Sequence, residues 1–162
     1  MRINNLLAVS TFAMFFGSET VIGSEFDKGI SAYKSGGSEE ALAQLKYVAE
    51  SGNVDAQFYL GHMYNEGDVV LKDDNKAVKW FSLAAKQGNA FAQARLAPLF
   101  GRGVNVPKDP LRMYMWCSLA AYNGDSASIY KKAQLIERMA SGQVALGDKM
   151  ATRCLDSGYT DC

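Results

Sequence analysis

The sequence predicts an all-α protein, an α-solenoid in which about eight helices stack as antiparallel pairs. A unit of 36 residues recurs: Ala56, Gln57, Leu60, Tyr64, Gly67, Asp73, Trp80, Ala84, Ala85 and Gly88 return as Ala92, Gln93, Leu96, Phe100, Gly103, Asp109, Trp116, Ala120, Ala121 and Gly124. Within the unit the apolar residues form two stripes of helical spacing, Ala56, Leu60, Met63 and Tyr64, then Ala77, Trp80, Phe81, Ala84 and Ala85. Units meet at Gly followed by Asn or Asp: Gly52-Asn53, Gly88-Asn89 and Gly124-Asp125. A period of this length marks folds in which each unit buries its apolar face only against its neighbours.

The chain opens with the layout of a secretory signal peptide. Arg2 gives a short positive region, Leu6 to Phe16 is uncharged and mostly apolar, and Val21-Ile22-Gly23 places small or aliphatic residues where a signal peptidase reads. Residues 1–23 are therefore expected to be removed, leaving a mature chain from near Ser24. The apolar run falls short of the roughly 20 helical residues that span a bilayer, so no stable membrane anchor is expected after cleavage. No cysteine follows the run to accept a lipid.

Residues 24–162 then read as one domain. Glu25 to Ser35 and Ser38 to Ser51 form a first hairpin, broken by Gly36-Gly37, with Ser38 capping ahead of Glu39 and Glu40. Ala41, Ala49 and Gly52 stand 36 residues before Ala77, Ala85 and Gly88, which makes 26–52 a half-repeat. Full repeats of two helices follow at 53–88 and 89–124. At each boundary the Gly takes the left-handed conformation that ends a helix, and the next Asn or Asp caps its successor. The links inside the units, Gly67 to Asp73 and Gly103 to Asp109, are longer. Asp109-Pro110 is a strong start, because Asp caps free amides and Pro at the first helical position lacks only an amide that would go unpaired. Asp73 and Asp74 resemble a metal pair in isolation, but their place at the matching helix start makes them caps. Ser126 to Ala140 and Gln143 to Leu155 form a last hairpin, with Ile129, Ala133, Ile136 and Ala140 on one face. Residues 125–162 thus read as a C-terminal cap with a polar outer face.

Composition narrows the partners. The 17 basic and 17 acidic side chains cancel, so no positive field draws in nucleic acid or an anionic membrane. Export to an oxidising compartment makes a Cys154–Cys162 disulfide the economical reading of the last two cysteines; a metal site there would need further ligands, and the single histidine, His62, is far away in sequence. Cys117 beside Trp116 reads as a small buried hydrophobe rather than a reactive thiol. Trp80 and Trp116 read as core residues, since carbohydrate-stacking aromatics would have to face outward.

The segment from Ala56-Gln57-Phe58-Tyr59-Leu60-Gly61-His62-Met63-Tyr64-Asn65-Glu66-Gly67 through Asp73, Lys76-Ala77, Trp80-Phe81, Ala84-Ala85 and Gln87-Gly88 resembles one full Sel-1-like repeat, a relative of the tetratricopeptide repeat. The second copy is looser, with Ala97 for Gly61, Phe100 for Tyr64, Met113 for Ala77 and Cys117 for Phe81. The resemblance covers roughly residues 26–128, and the Cys154 to Cys162 ending is similar to that of small exported bacterial members, which implies a periplasmic or secreted protein. Two departures stand out. The second glycine of the loop is Val69 in one copy and Asn105 in the other, and β-branched Val does not take positive φ readily. Pro98 falls inside a first helix, where it removes a backbone bond and predicts a bend or early stop.

The resemblance implies a right-handed superhelix whose inner surface, lined by first helices, holds a protein or peptide partner; the chain itself is expected to be a monomer. Positions turned away from the Leu60 and Tyr64 face are the candidate contacts: Asp55, Phe58, His62, Asn65 and Glu66 in one copy, Phe91, Ala94, Arg95 and Arg102 in the next. Phe58 and Phe91 lead, because exposed aromatics on a groove are typical anchors. No catalytic, cofactor or metal site is assigned. His62 has no Ser or Cys partner at a recognisable spacing, and no carboxylate pair stands clear of a capping role. The competing reading is an exported hydrolase or binder of β-lactam or peptidoglycan-type compounds, functions linked to a cysteine-rich branch of the family that has a Cys pair in each repeat. Here, though, one cysteine pair exists, and it lies outside the repeats. A third reading, a regulatory scaffold for a membrane sensor or envelope enzyme, uses the same surface.

Overall fold

The computed structural model describes residues 9–103 and 105–162, and side chains from Val21 onward, Ser38 apart. All regular structure among these residues is helical: α1 (Val9–Lys34), α2 (Ser38–Glu50), α3 (Val54–Glu66), α4 (Asp74–Ala85), α5 (Ala90–Arg102), α6 (Pro110–Tyr122), α7 (Ser126–Arg138) and α8 (Ser141–Asp156). α1 pairs with α2, α3 with α4 and α5 with α6, and each pair packs on the next through α2–α3, α4–α5 and α6–α7. One apolar cluster centres on Leu45, Val48, Leu60 and Met63; a larger one runs from Phe81 through Leu96 and Leu119 to Cys154. The expected signal segment falls partly outside the described residues, and α1 runs unbroken across Ser24. Phe26, Ile30 and Tyr33, beyond that point, hold α1 to the first cluster.

The repeated polar residues do two jobs. Asn53, Asn89 and Asp125 cap α3, α5 and α7 by accepting from the amides of Ala56, Ala92 and Ser128 at 2.9, 2.8 and 2.7 Å, each cap contributing on the order of 1 kcal/mol. The preceding Gly52, Gly88 and Gly124 sit at φ 99°, 84° and 95°. Gln57 and Gln93 are buried, and each donates Nε2 to a carbonyl of the preceding helix, Ala49 at 3.1 Å and Ala85 at 3.0 Å. Their own oxygens accept from Gln87 and Asn123, both at 2.8 Å. These amides satisfy polar groups at the seams between pairs that the solvent cannot reach.

Several expectations need correction. Gly37, not Ser38, occupies the N-cap of α2, and Ser38 is its first helical residue. Asp73 and Asp109 cap α4 and α6, but Asp74 does not cap. It is buried, with Asn105 Nδ2 of the following repeat reaching its Oδ2 at 3.4 Å and the Lys72 ammonium 3.9 Å from its Oδ1. Asn105 takes the positive φ of the loop, 63°, whereas Val69 is not among the positive-φ residues, so the first loop follows another path. Pro98 does not stop α5, which continues to Arg102 and ends on Gly103 as α3 ends on Gly67. Trp116 is buried, but Trp80 is only half-buried, with Lys79 Nζ 5.8 Å above its ring.

The last two helices depart furthest. α8 takes α6 as its main partner instead of closing a hairpin on α7. Gly147 explains this, because a Cβ there would lie 2.4 Å from Tyr114 Cδ1; only glycine lets the Tyr114 ring in. The Tyr114 hydroxyl then donates to Asp148 at 3.0 Å, and burial followed by that bond holds the phenol above its usual pKa. α7 buries Ser128 and Leu135, so the face bearing Ile129, Ala133, Ile136 and Ala140 is exposed rather than packed, and the outer surface of the cap is apolar there, not polar. Cys154 and Cys162 are bonded, Cα–Cα 4.8 Å. The tail they hold places the Tyr159 hydroxyl 2.9 Å from Asn123 Oδ1, extending the amide chain that reaches Gln93.

Candidate functional site

A groove of about 600 Å³ opens between α5 and α7, with α6 as its floor and Phe58 of α3 at one end. Its origin lies in what the second repeat lacks. In the first repeat Phe58 packs its ring 5.8 Å from Phe81 and 6.3 Å from His62, and Phe81 is fully buried against Gly61, where a Cβ would stand 2.5 Å from the ring. The equivalents of Phe58, His62 and Phe81, 36 residues on, are Ala94, Pro98 and Cys117. Three rings give way to a methyl, a pyrrolidine and a thiol. The bulk reappears one turn along, at Met113, whose sulfur would be 2.5 Å from a Cβ on Gly101. The space above Ala94 and Cys117 stays open, and α7 does not move in to fill it.

The lining combines an apolar base with a basic rim. Phe91, Ala94, Ala97, Pro98 and Met113 supply the base, with the buried Cys117 thiol, which donates to the Ser128 carbonyl at 3.4 Å. Burial pushes that thiol above its ordinary pKa, so at neutral pH it is a packing group and not a nucleophile. Arg95, Arg102 and Lys131 are exposed on the rim. Asp125 is the one acidic group of the lining, and its carboxylate is engaged as the cap of α7. Pro98 has no amide to give the Ala94 carbonyl, which leaves that acceptor without its i+4 partner beside the groove.

Of the sequence candidates, Phe58, Phe91, Ala94, Arg95 and Arg102 meet in this groove, with the Phe58 and Phe91 centroids 6.2 Å apart. Phe91 is 65% exposed, as an anchor requires, whereas Phe58 is half-buried. Asp55, His62, Asn65 and Glu66 stand outside it. Asp55 is exposed at the start of α3, and Asn65 donates to Glu66 at 2.7 Å. His62 lies 3.5 Å from the Tyr33 hydroxyl, which donates to Asp68 at 2.6 Å; burial and that carboxylate push the phenol up to about 12, so it keeps its proton at neutral pH and serves as a donor, not a base. Among the described residues no group of three His, Cys, Asp or Glu could hold a metal ion. Sequence reasoning missed Ala97, Pro98, Gly101, Met113, Cys117 and the α7 residues Ala127, Ser128 and Lys131. The signal was available at Pro98, Gly101 and Cys117, where the second copy carries smaller residues than His62, Asn65 and Phe81.

Residues 54–89 and 90–125 each match the Sel1 repeat. Over 57 residues the chain is 43% identical to the exopolysaccharide production negative regulators of Rhizobium leguminosarum bv. viciae and Rhizobium meliloti (strain 1021). That stretch is 35% of this chain and 21% of each regulator, so the match spans about a fifth of their length. The fold is like that of a protective antigen of uropathogenic Escherichia coli strains displaying an SLR fold, with a TM-score of 0.77 and 22% identity over 85% of this chain and 31% of that one. A Sel1 repeat protein from Oxalobacter formigenes aligns with a TM-score of 0.54 and 35% identity over 60% of this chain and 73% of its own. Matched in both full repeats and sharing the helical stack of these proteins, the chain belongs to the Sel1 repeat family.

Proposed function

We propose that this protein is a non-enzymatic scaffold that holds a protein or peptide partner in the groove between α5 and α7. Sel1 repeat proteins are typically protein-interaction scaffolds. The observation that carries the reading here is the exchange of Phe58, His62 and Phe81 for Ala94, Pro98 and Cys117, which opens an apolar slot beside the exposed Phe91 ring. Such a slot has the size and lining of a ligand pocket, and aromatic groups at its edge are common binding anchors. A photo-crosslinking residue at position 91 is expected to trap a partner that the same residue at Leu71, 92% exposed on the first loop, does not. Equal trapping at both positions, or capture undiminished by Phe91→Ala, sinks this assignment. Turnover of nitrocefin or muropeptides by the purified chain would sink the non-enzymatic half.

The reading places the protein outside the cytoplasm, in the envelope or secreted. It is supported by the residue pattern of positions 1–23 and by the Cys154–Cys162 bond. The intact mass of the protein isolated from its own cell is expected to begin near Ser24; a mass that includes Met1 overturns it. A regulatory use of the groove is favoured by the relatives named as negative regulators of exopolysaccharide production.

A further inference from the structure

We infer that the occupant of the groove is an acidic peptide segment, one that lays an apolar side chain over Ala94 and Cys117 and sets its carboxylates against Arg95, Arg102 and Lys131. The inference rests on the scaffold reading above and adds the chemistry of what is held.

Charge carries it. The whole chain is neutral, yet the two repeats differ in sign along the same face. Glu66 of the first is replaced by Arg102 in the second, Tyr59 by Arg95, and the acidic Asp55 by Phe91. Lys131 of α7 adds a third cation across the groove. Among the described residues none of these three has a carboxylate within ion-pair distance, in contrast to the neighbouring Arg112 on Asp109 at 3.3 Å and Lys132 on Asp148 at 3.2 Å. Asp125, the cap of α7, offsets at most one of the three. The rim therefore presents unmatched positive charge around an apolar base.

An occupant must satisfy both. A basic or neutral apolar segment would leave the three cations facing like charge or nothing, and like-charge juxtaposition across an interface is costly. Nucleic acid fits poorly, because three cations neutralise few phosphates and the floor is apolar and narrow.

The test is selection of a random-peptide display library on the purified chain at low salt, followed by affinity measurement of the recovered peptides. They are expected to combine Asp or Glu with a large apolar residue, and to weaken as salt is raised. Against the double variant Arg95→Glu with Arg102→Glu their affinity is expected to fall about tenfold or more, since exposed charge pairs contribute modestly one by one but sum across the rim. Both arginines are exposed, so the swap leaves the fold alone. A second variant, Ala94→Phe, plugs the groove with the side chain that the first repeat carries. Peptides recovered without acidic bias, or indifferent to the charge reversal, yet lost on Ala94→Phe overturn the acidic assignment and leave the groove standing. Peptides indifferent to Ala94→Phe, or no peptides at all, overturn both.

Discussion

The first full repeat buries the Phe81 ring completely against Gly61, whereas the second sets Cys117 and Ala97 at the same two positions and carries its bulk one turn along, on Met113 over Gly101. Both solutions keep the helix pair closed. They differ in what they do to the surface beside it: the first roofs its seam with Phe58 and His62, and the second offers only Ala94 and Pro98 there. In a repeat protein the copies act as controls for each other, because caps, turns and seams are shared and any lost volume must be either refilled or left for another molecule. Here it is left. The same register shows the sign of the face changing from acidic to basic between copies.

The two repeats should differ most when their equivalent side chains at positions 81 and 117 are deleted. Phe81→Ala removes a fully buried ring from a tightly closed contact and is expected to cost about 3–5 kcal/mol. Cys117→Ala removes one sulfur at the floor of an open groove and is expected to cost about 1 kcal/mol or less. Urea midpoints of the two variants measure the difference. Equal costs would mean that the second repeat is packed as fully as the first, and the groove would lose its explanation.

Next in size is Pro98, the equivalent of His62. A proline inside a helix forfeits a backbone bond and crowds the preceding turn at about 3 kcal/mol, yet α5 runs past it to Arg102. Pro98→Ala is therefore expected to raise stability by up to about 3 kcal/mol, and His62→Pro in the first repeat to lower it by a similar amount. Denaturant unfolding of both decides the matter. A Pro98→Ala variant that loses stability would mean that the ring makes contacts worth more than the bond it removes.

The full-repeat helices and the five side-chain caps of α3 to α7 are legible, because each rests on a local rule of spacing or of amide satisfaction within four residues. The buried stripe of α5, through Leu96 and Phe100, is legible in the same way, and Phe91, Ala94, Arg95 and Arg102 lie off it, along the groove. The path of the Pro98 helix was not legible, since a local penalty was outweighed by the packing of Leu96, Ala97, Leu99 and Phe100 on both sides of it. Nor was the cap. Ile129, Ala133, Ile136 and Ala140 have the spacing of a core face, but which stripe of α7 is buried is decided by α6, through Leu135 and Ser128, and spacing alone carries no such information. Asp74 is a similar case: its hydrogen-bond partner, Asn105, lies in the next repeat.

A smaller effect probes the two loops. Asn105 holds φ 63° while Val69, its equivalent, keeps out of that region. Asn105→Val forces a β-branched residue into the left-handed well and is expected to cost about 1–2 kcal/mol. Val69→Asn is not forced anywhere, although the half-buried Val69 gives up apolar contact with the first cluster, so its cost should stay below about 1 kcal/mol. Thermal unfolding separates the pair, and equal costs would put the two loops on one path after all.

The smallest expected change in stability is the most informative about function. Ala94→Phe gives the second repeat the side chain of the first, at a half-buried position bordering open space. No backbone strain is introduced, since Phe58 occupies the equivalent helical site, and the new ring has the Phe91 side and the space over Cys117 to settle into. Gain of apolar burial and loss of rotamer freedom are of similar size, so stability is expected to stay within about 0.5 kcal/mol. Partner binding should nevertheless be lost, because the ring takes the volume an apolar anchor would use. The matching change, Phe58→Ala, works in the opposite direction: it uncovers Phe81, costs stability, and opens a second hollow on an acidic stretch of the face bearing Asp55 and Glu66. A doubly exchanged chain, Phe58→Ala with Ala94→Phe, would then carry its hollow in the first repeat, and its preference among peptides should turn away from acidic sequences. If it still selects the peptides of the parent, the hollow and the charge beside it are not what the partner reads.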